Sequence, residues 1–183
     1  MPVEIEKKYR LTKRHRERVV EQLQSLNASF VSEEFEENTL YAGKGVDRRN
    51  SVLRLRRVAD RAILTFKKRS PSKSSIKHQL EEEFEVSDAQ SCDALLKALG
   101  YVEALVYEKR RSTWRLGDAE VVIDELPFGL FMEIEAEVEE INRVEKLLGI
   151  TKLKAERKTY PRLAEVYGKK KGSVIEARFP TRK

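Results

Sequence analysis

Short stretches of alternating charged and apolar residues recur along the chain and predict β-strands. In residues 1–11, Glu4, Glu6 and Lys8 fall on one face of a strand, while Tyr9 and Leu11 fall on the other, because successive side chains of a strand point to opposite faces. Two carboxylates beside a lysine resemble a site for a hard cation next to a site for an anion.

Six further stretches show the same alternation, so the pattern predicts seven strands in total. The six are Val52–Arg57, Ala62–Lys68, Glu81–Val86, Tyr107–Leu116, Val121–Glu125 and Phe131–Val138. Their charged faces are sorted by sign. Arg54 and Arg56 share one face, for example, and Glu133 and Glu135 share another.

Any one of these strands, taken alone, is typical of an antiparallel sheet with one solvated face. Like charges at neighbouring positions repel each other, however, and an isolated sheet gains nothing from them. The sorted faces favour a sheet that curls so that acidic and basic walls face each other around a polyanion and its metal ions. The apolar faces then point outward and require a cover of helices.

Four segments with helical spacing of apolar residues predict that cover, which makes the fold class α+β. They are Lys13–Asn27 with Thr12 as N-cap, Asp88–Leu99 ending at Gly100, Glu139–Leu148 ending at Gly149, and Lys158–Tyr167 with Pro161 in its first turn.

The composition predicts one domain over residues 1–168, followed by a basic C-terminal tail over residues 169–183. Hydrophobic residues make up 40% of the 183 residues, enough for a core, so the 37% of charged residues does not indicate disorder. Cys92 is the single cysteine, which excludes an internal disulfide. The N-terminus does not resemble a signal peptide and no apolar run is long enough to span a bilayer, so we expect a cytoplasmic protein without a membrane partner.

The net charge of +6 indicates a polyanionic partner. A nucleic-acid surface would gain nothing from the acidic strands, which argues against nucleic acid. The usual glycine-rich nucleotide loops are absent, and neither His15 nor His78 has a nucleophile or metal partner in view.

Seven segments, in this order, resemble the CYTH-domain proteins, also called triphosphate tunnel metalloenzymes. They read VEIEKKYRL, VLRLR, ILTFKKR, EEEFEVSD, YEKRR, VVIDELPFGLFMEIE and RKTYPRL, and they cover roughly residues 3 to 167. The resemblance implies an eight-stranded antiparallel barrel, open at both ends, that binds a triphosphate with Mg²⁺ or Mn²⁺ in its charged interior. The chain departs from many relatives at Ala42, where they carry aspartate, so no role is carried over to Tyr41.

The same resemblance implies roles for individual residues. The implied metal ligands are Glu4, Glu6, Asp124, Glu133 and Glu135. The implied phosphate-binding residues are Lys8, Arg54, Arg56, Lys67, Lys109, Arg111 and Lys158. Glu4, Glu6 and Lys8 form the implied catalytic group. Glu83 and Glu85 match an acidic strand of the family and serve either as metal ligands or in internal salt bridges with the basic strands.

Two reactions fit such a site, and we favour hydrolysis of a triphosphate by water. The alternative is a class IV adenylate cyclase, in which the 3′-hydroxyl of ATP attacks the α-phosphorus and releases pyrophosphate. A further alternative is a polyphosphate or nucleotide binder without catalysis. The sequence leaves three substrates open, namely inorganic triphosphate, thiamine triphosphate and ATP, and it does not predict an oligomeric state.

Overall fold

Eight antiparallel strands close into a barrel in the computed structural model, which describes residues 3–47, 49–69 and 75–180. The strands are β1 (Val3–Leu11), β2 (Ser29–Ala42), β3 (Ser51–Val58), β4 (Arg61–Arg69), β5 (Lys77–Val86), β6 (Val102–Leu116), β7 (Ala119–Leu126) and β8 (Gly129–Glu135). They are ordered β2-β3-β4-β5-β1-β8-β7-β6, and β6 pairs back with β2 to close the ring. The predicted fold class is therefore confirmed.

Two details of the strand prediction are wrong. The pattern gave seven strands and omitted β2, which forms the seam with β6. It also extended the last strand to Val138, whereas β8 ends at Glu135 and Glu137 is the N-cap of the following helix.

The four predicted helices are present as α1 (Lys13–Ser25), α2 (Ala89–Ala98), α3 (Val138–Leu147) and α4 (Tyr160–Tyr167). The Thr12 hydroxyl accepts a hydrogen bond from the His15 amide at 3.1 Å and caps α1. Gly100 and Gly149 follow α2 and α3 with φ of 87° and 66°, the left-handed conformation that glycine adopts without steric cost. Within the described part of the chain, none of the helices combines the length and the apolar character needed to cross a membrane.

The main hydrophobic core lies outside the barrel, between its outer face and helices α1 and α3. Its buried members include Tyr9, Leu11, Val19, Leu23, Trp114, Val121, Ile134, Ile141 and Val144. A smaller core packs α2 against β3 and β4. Burial of apolar side chains on the outside holds the sheet in its curled shape, and this leaves the inner face free for polar residues.

Lys7 is the one charged residue on the outer face of β1, and a buried carboxylate pairs with it. Lys7 Nζ lies 2.7 Å from the carboxylate of Glu145 on α3, and the Tyr9 hydroxyl donates to the same carboxylate. Lys7 and Tyr9 flank the inward-pointing Lys8, so their contacts with Glu145 hold this part of β1 against α3.

Helix α4 packs into one end of the barrel, which we call the α4 end. There the inner faces of the strands are apolar, and Leu105, Tyr107 and Phe131 pack with Tyr160 and Leu163 of the helix. The barrel interior is thus apolar at the α4 end and ionic along the rest of its length.

Residues 169–180, predicted as part of a solvated tail, add two strands to the barrel. β10 (Val174–Ala177) pairs in parallel with β6, and β9 (Lys169–Lys171) pairs with β10 and lies at the edge of the sheet. Arg178 then bridges Glu37 and Glu108, which face each other across the β2–β6 seam. The division of the chain at residue 168 stays a prediction, and residues 181–183 lie outside the described part.

Candidate active site

A cavity of about 510 Å³ occupies the barrel interior, a volume typical of small-molecule sites. Its charged lining consists of Glu4, Glu6, Lys8, Arg54, Arg56, Lys67, Glu81, Glu82, Glu83, Lys109, Arg111, Glu120, Glu133 and Glu135. Most of the residues predicted for the site are therefore brought together, although they come from six different strands.

Three carboxylates form a cluster at the wall made by β1 and β8. Oxygens of Glu4, Glu6 and Glu135 all lie within 4.8 Å of one another, and Glu6 is the direct cross-strand neighbour of Glu135. Burial raises the pKa of Glu135 to about 8, with Glu4 and Glu133 adding to the rise against the opposing effect of Arg111. Burial likewise raises the pKa of Glu4. Such crowding of like charges is stable when a cation lies between them.

The donor set of this cluster fits a hard divalent cation. Carboxylate oxygens are the protein ligands that Mg²⁺ and Mn²⁺ prefer, and a few carboxylates with substrate oxygens complete the shell. Glu4 also accepts hydrogen bonds from Lys67 at 2.7 Å and from Gln79 at 3.3 Å, contacts that orient its carboxylate toward the cavity.

A cationic wall faces the cluster. Lys8 is 2% exposed and lies 2.9 Å from Glu133. Although burial would lower the pKa of Lys8, the carboxylates of Glu133 and Glu6 raise it, so this ammonium stays charged. Arg54 and Arg56 both line the cavity, and a guanidinium suits bidentate contact with a phosphate group.

Glu36, which the charge alternation did not indicate, is a buried carboxylate within the cationic wall. It lies on β2, 3.3 Å from Lys109 Nζ and 3.9 Å from Nε of both Arg56 and Arg111. Burial would raise the pKa of Glu36, but Lys109, Arg111 and Arg56 together lower it to about 2. Burial and the charge of Arg111 lower the pKa of Lys109 to about 8. Glu36 is thus the internal counter-ion of the wall.

The metal binding predicted for Asp124 stays a prediction, and in the structure its carboxylate is engaged by other side chains. Its carboxylate accepts two hydrogen bonds from Arg111, at 2.8 and 2.7 Å, and one from the Tyr160 hydroxyl at 2.8 Å. Asp124 therefore positions Arg111 and lies outside the carboxylate cluster. Glu133 is similarly engaged, 2.9 Å from both Lys8 and Arg111, and its metal binding also stays a prediction.

Lys158, for which a phosphate contact was predicted, is not brought into the cavity. Lys158 is exposed in the turn before α4, and its side chain does not line the cavity. The residue that enters the cavity from this segment is Tyr160, whose ring lies 3.7 Å from Lys8 Nζ. No periodic signal identifies Tyr160 in the sequence, because its position depends on how α4 packs.

Glutamates of the acidic strand β5 form internal salt bridges with the basic strands, one of the two roles predicted for that strand; the other was metal binding. Glu83 lies 2.9 Å from Arg56 and accepts a hydrogen bond from Thr65 at 2.8 Å, while Glu81 lies 2.7 Å from Lys67. Glu85 is exposed and does not line the cavity. Tyr41 contacts α2, where its hydroxyl donates to Asp93 at 2.7 Å.

Known proteins similar to this chain share the family that the sequence resembles. The family model of the CYTH domain matches residues 2–164. A Methanocaldococcus jannaschii protein named as a candidate adenylate cyclase is 30% identical over 150 residues, which are 80% of this chain and 83% of that protein.

Solved structures share the fold over most of the chain. The PH1012 protein of Pyrococcus horikoshii superposes with a TM-score of 0.76 at 25% identity, over 87% of this chain and 98% of that one. A candidate adenylyl cyclase from Hippeastrum, described as having a dominant triphosphatase activity, superposes with a TM-score of 0.65 at 18% identity, over 88% of this chain and 93% of that one.

Proposed function

The chain belongs to the CYTH domain family, and on that premise we propose that it is a metal-dependent phosphohydrolase acting on a triphosphate bound in its barrel. The observation that carries the proposal is the meeting, in one cavity, of the carboxylate cluster Glu4, Glu6 and Glu135 with a wall of buried cations. A divalent cation and a polyphosphate together satisfy both halves of this arrangement.

The charge balance of the cavity supports a requirement for metal. Eight glutamates and six basic residues line it, so the lining is net acidic by formal charge, and it stays so when Glu135, whose pKa burial raises to about 8, is protonated. A triphosphate carries about four negative charges at neutral pH, and it enters such a cavity favourably only with cations that bind the carboxylates.

The individual residues have separate tasks in this proposal. Glu4, Glu6 and Glu135 would hold Mg²⁺ or Mn²⁺, which neutralises phosphate charge and lowers the pKa of a bound water. Lys8, held beside Glu133, stabilises negative charge on the transferred phosphoryl group. Arg54 and Arg56, which line the cavity, donate hydrogen bonds to phosphate oxygens.

The proposed reaction is attack of water on the terminal phosphorus. A new bond forms between the water oxygen and that phosphorus, while the bond to the bridging oxygen breaks. The products are orthophosphate and the shortened diphosphate, and one proton is released. Catalysis then rests on positioning and on electrostatic stabilisation of the spreading charge.

Adenylate cyclase activity is the second candidate, because the M. jannaschii relative carries that name at 30% identity. In that reaction the same cations would bind the β- and γ-phosphates, and pyrophosphate would leave from the α-phosphorus. A binder without catalysis would show affinity for triphosphates with no turnover.

One assay panel separates these candidates. Inorganic triphosphate, thiamine triphosphate and ATP are incubated with Mg²⁺ or Mn²⁺, and orthophosphate, pyrophosphate and cyclic AMP are measured separately. We expect orthophosphate release by the wild type, its loss in Glu6→Gln, and its retention in Glu85→Gln, a matched control whose side chain lies outside the cavity. Formation of cyclic AMP with an equal amount of pyrophosphate would show that the protein is a cyclase and not a hydrolase. Binding of a triphosphate without any product would refute the proposal that the protein is an enzyme.

A further inference from the structure

Tyr160, at the start of α4, has an apolar and an ionic surrounding. Its ring packs edge to face against Phe131, with 5.5 Å between the ring centroids and 77° between the planes, and belongs to the apolar packing of the α4 end. The same residue lines the ionic cavity of the candidate active site and is 6% exposed. Helix α4 therefore places a buried aromatic side chain at the boundary between the apolar end of the barrel and the candidate active site.

The ring of Tyr160 supports the ammonium group of Lys8. Lys8 Nζ lies 3.7 Å from the centre of the ring, within the distance at which an aromatic face attracts a cation. The carboxylate of Glu133 holds the same nitrogen at 2.9 Å. One contact comes from α4 and the other from β8, so together they restrict where Lys8 can place its charge.

The hydroxyl of Tyr160 acts on a second cation through Asp124. It donates a hydrogen bond to Asp124 Oδ2 at 2.8 Å, and Arg111 Nη2 donates to the same oxygen at 2.7 Å. Arg111 Nε donates to the other oxygen, Oδ1, at 2.8 Å. Because Asp124 is fully buried, the hydrogen bond from Tyr160 fixes the plane of this carboxylate, and the carboxylate in turn fixes the guanidinium of Arg111.

These contacts close into a loop around the cations. Lys8 and Arg111 share the carboxylate of Glu133, each at 2.9 Å. The loop therefore runs from the ring of Tyr160 to Lys8, Glu133, Arg111 and Asp124 and returns to the hydroxyl of Tyr160. Each member of such a buried network restricts its neighbours, and Tyr160 is the member that α4 contributes.

Packing alone does not account for Tyr160. A phenylalanine would fill the same space at the α4 end and make the same contact with Phe131, whereas the hydroxyl serves only Asp124 and, through it, Arg111. A residue with a purely structural role would change stability when replaced and leave the rate constant of the folded protein unchanged.

We infer that Tyr160 is a positioning residue of the proposed reaction, with its ring fixing Lys8 and its hydroxyl fixing Arg111 against the phosphates of the substrate. The inference rests on the proposed function, in which these cations stabilise charge on phosphate groups. Cations that are placed in advance act most strongly on the charge that develops in the transition state. Loss of Tyr160 should therefore lower kcat more than it raises KM, and the seating of α4 in the barrel contributes to the rate.

The test measures initial rates of triphosphate hydrolysis with Mg²⁺, well below the unfolding temperature of each variant. Tyr160→Phe keeps the ring and should lower kcat about tenfold, whereas Tyr160→Leu loses ring and hydroxyl and should lower it about a hundredfold. KM should change by less than about twofold in both, because the cations keep their charge. Tyr167→Phe is the matched control in the same helix, outside the cavity, and should leave both constants unchanged.

Two further measurements follow the path through Arg111. Arg111→Lys keeps the charge but loses the fork that pairs with Asp124, so adding Tyr160→Phe to Arg111→Lys should lower kcat by less than about twofold further. The NMR signal of the Arg111 Nε–H group reports the same contact without turnover. It should be sharp in the wild type and in Tyr167→Phe, and broadened in Tyr160→Phe.

The outcomes distinguish this inference from the proposed function. Unchanged kcat in Tyr160→Phe and Tyr160→Leu, even with a lower unfolding free energy, would assign Tyr160 a structural role only and overturn the inference. A tenfold fall that is as large in Arg111→Lys as in the wild type, or an unchanged Arg111 signal in Tyr160→Phe, would overturn it as well. Absence of turnover by the wild type, with the expected broadening in Tyr160→Phe, would refute the hydrolase and support the positioning of Arg111 by Tyr160.

Discussion

Replacing Glu36 by glutamine tests whether one buried carboxylate holds the cationic wall together. The substitution preserves the shape of a side chain that is 1% exposed and removes its charge. Lys109, Arg111 and Arg56 then lose the counter-ion that lies within 4 Å of each of them. The loss of one partner from a buried cluster is costly because the other charges stay desolvated.

The expected size of the effect follows from the pKa of Glu36, which burial would raise but which Lys109 and Arg111 lower from 4.5 to about 2. A shift of this size corresponds to about 3 kcal/mol of unfolding free energy. Since the pKa is lower in the folded state, this stabilisation is fully present above pH 4.5 and is lost as the pH falls toward 2. Glu36→Gln should therefore be about 3 kcal/mol less stable at neutral pH and less sensitive to acid in that window.

Ligand binding should change in the opposite direction. Removal of one negative charge from the wall makes it more attractive to an anion, so inorganic triphosphate without metal should bind Glu36→Gln more tightly than the wild type. The titration belongs near pH 6, because burial and Arg111 lower the pKa of Lys109 to about 8 and this ammonium must stay charged.

Urea unfolding followed by the fluorescence of Trp114, the single tryptophan, measures the stability change. Glu33→Gln, at an exposed position of the same strand, is the matched control and should behave as the wild type. Equal unfolding free energies for Glu36→Gln and the wild type, or weaker triphosphate binding by Glu36→Gln, would refute the role of Glu36 as internal counter-ion.

Three further predictions address other parts of the molecule. Arg56→Ala should weaken triphosphate binding about tenfold in calorimetry with little loss of stability, because burial and the nearby Arg54 already lower the pKa of Arg56. The control is Arg57→Ala, whose partner is Glu37, and it should leave the affinity unchanged. Equal affinities for the two variants would contradict the site. Triphosphate with Mg²⁺ should raise the unfolding free energy by about 2.7 kcal/mol at a hundredfold excess over Kd, and equal thermal shifts with triphosphate alone or with sulfate would contradict a shared metal and phosphate site. Glu145→Ala should destabilise the fold by about 2 kcal/mol, because the donors of Lys7 and Tyr9 lose their buried acceptor. Urea unfolding would measure this loss. An unchanged unfolding midpoint would mean that the contact of Glu145 with β1 contributes nothing to stability.

The ionic interior could be predicted from the sequence because strand alternation is a local property. Once a stretch is extended, Glu6 and Lys8 must point to the same side, and the neighbouring strand follows the same rule for Glu133 and Glu135. The apolar outer face follows from the same alternation, and the four helices follow from the 3.6-residue spacing of their apolar positions. Neither pattern requires knowledge of which strands pair.

The missed features depend on contacts between distant residues. Strand β2 carries Glu33, Glu34, Glu36 and Glu37, which place charge on both faces and hide the alternation, and its pairing with β6 is also irregular at two points. The role of Glu36 appears only when β2 meets Lys109 across the seam.

Motif matching also cannot show which charges are already paired. Asp124 occupies a position that the family resemblance assigned to metal, yet Arg111 and Tyr160 take up its oxygens. Lys158 lies two residues before Tyr160, and the turn into α4 directs it to solvent. The contacts of Asp124 depend on the pairing of β6 with β7 and on the packing of α4, and the exposure of Lys158 depends on that packing as well; the local sequence around either residue encodes neither.

The two strands beyond the barrel have a consequence for solubility. The addition of β10 and β9 to β6 creates a free edge at β9, and such edges can recruit a second chain. All three residues of β9 are exposed lysines, so two copies that approach edge to edge repel each other. This protection is electrostatic and weakens as salt shortens the screening length, so the ionic strength of the solution should set the protein's tendency to self-associate.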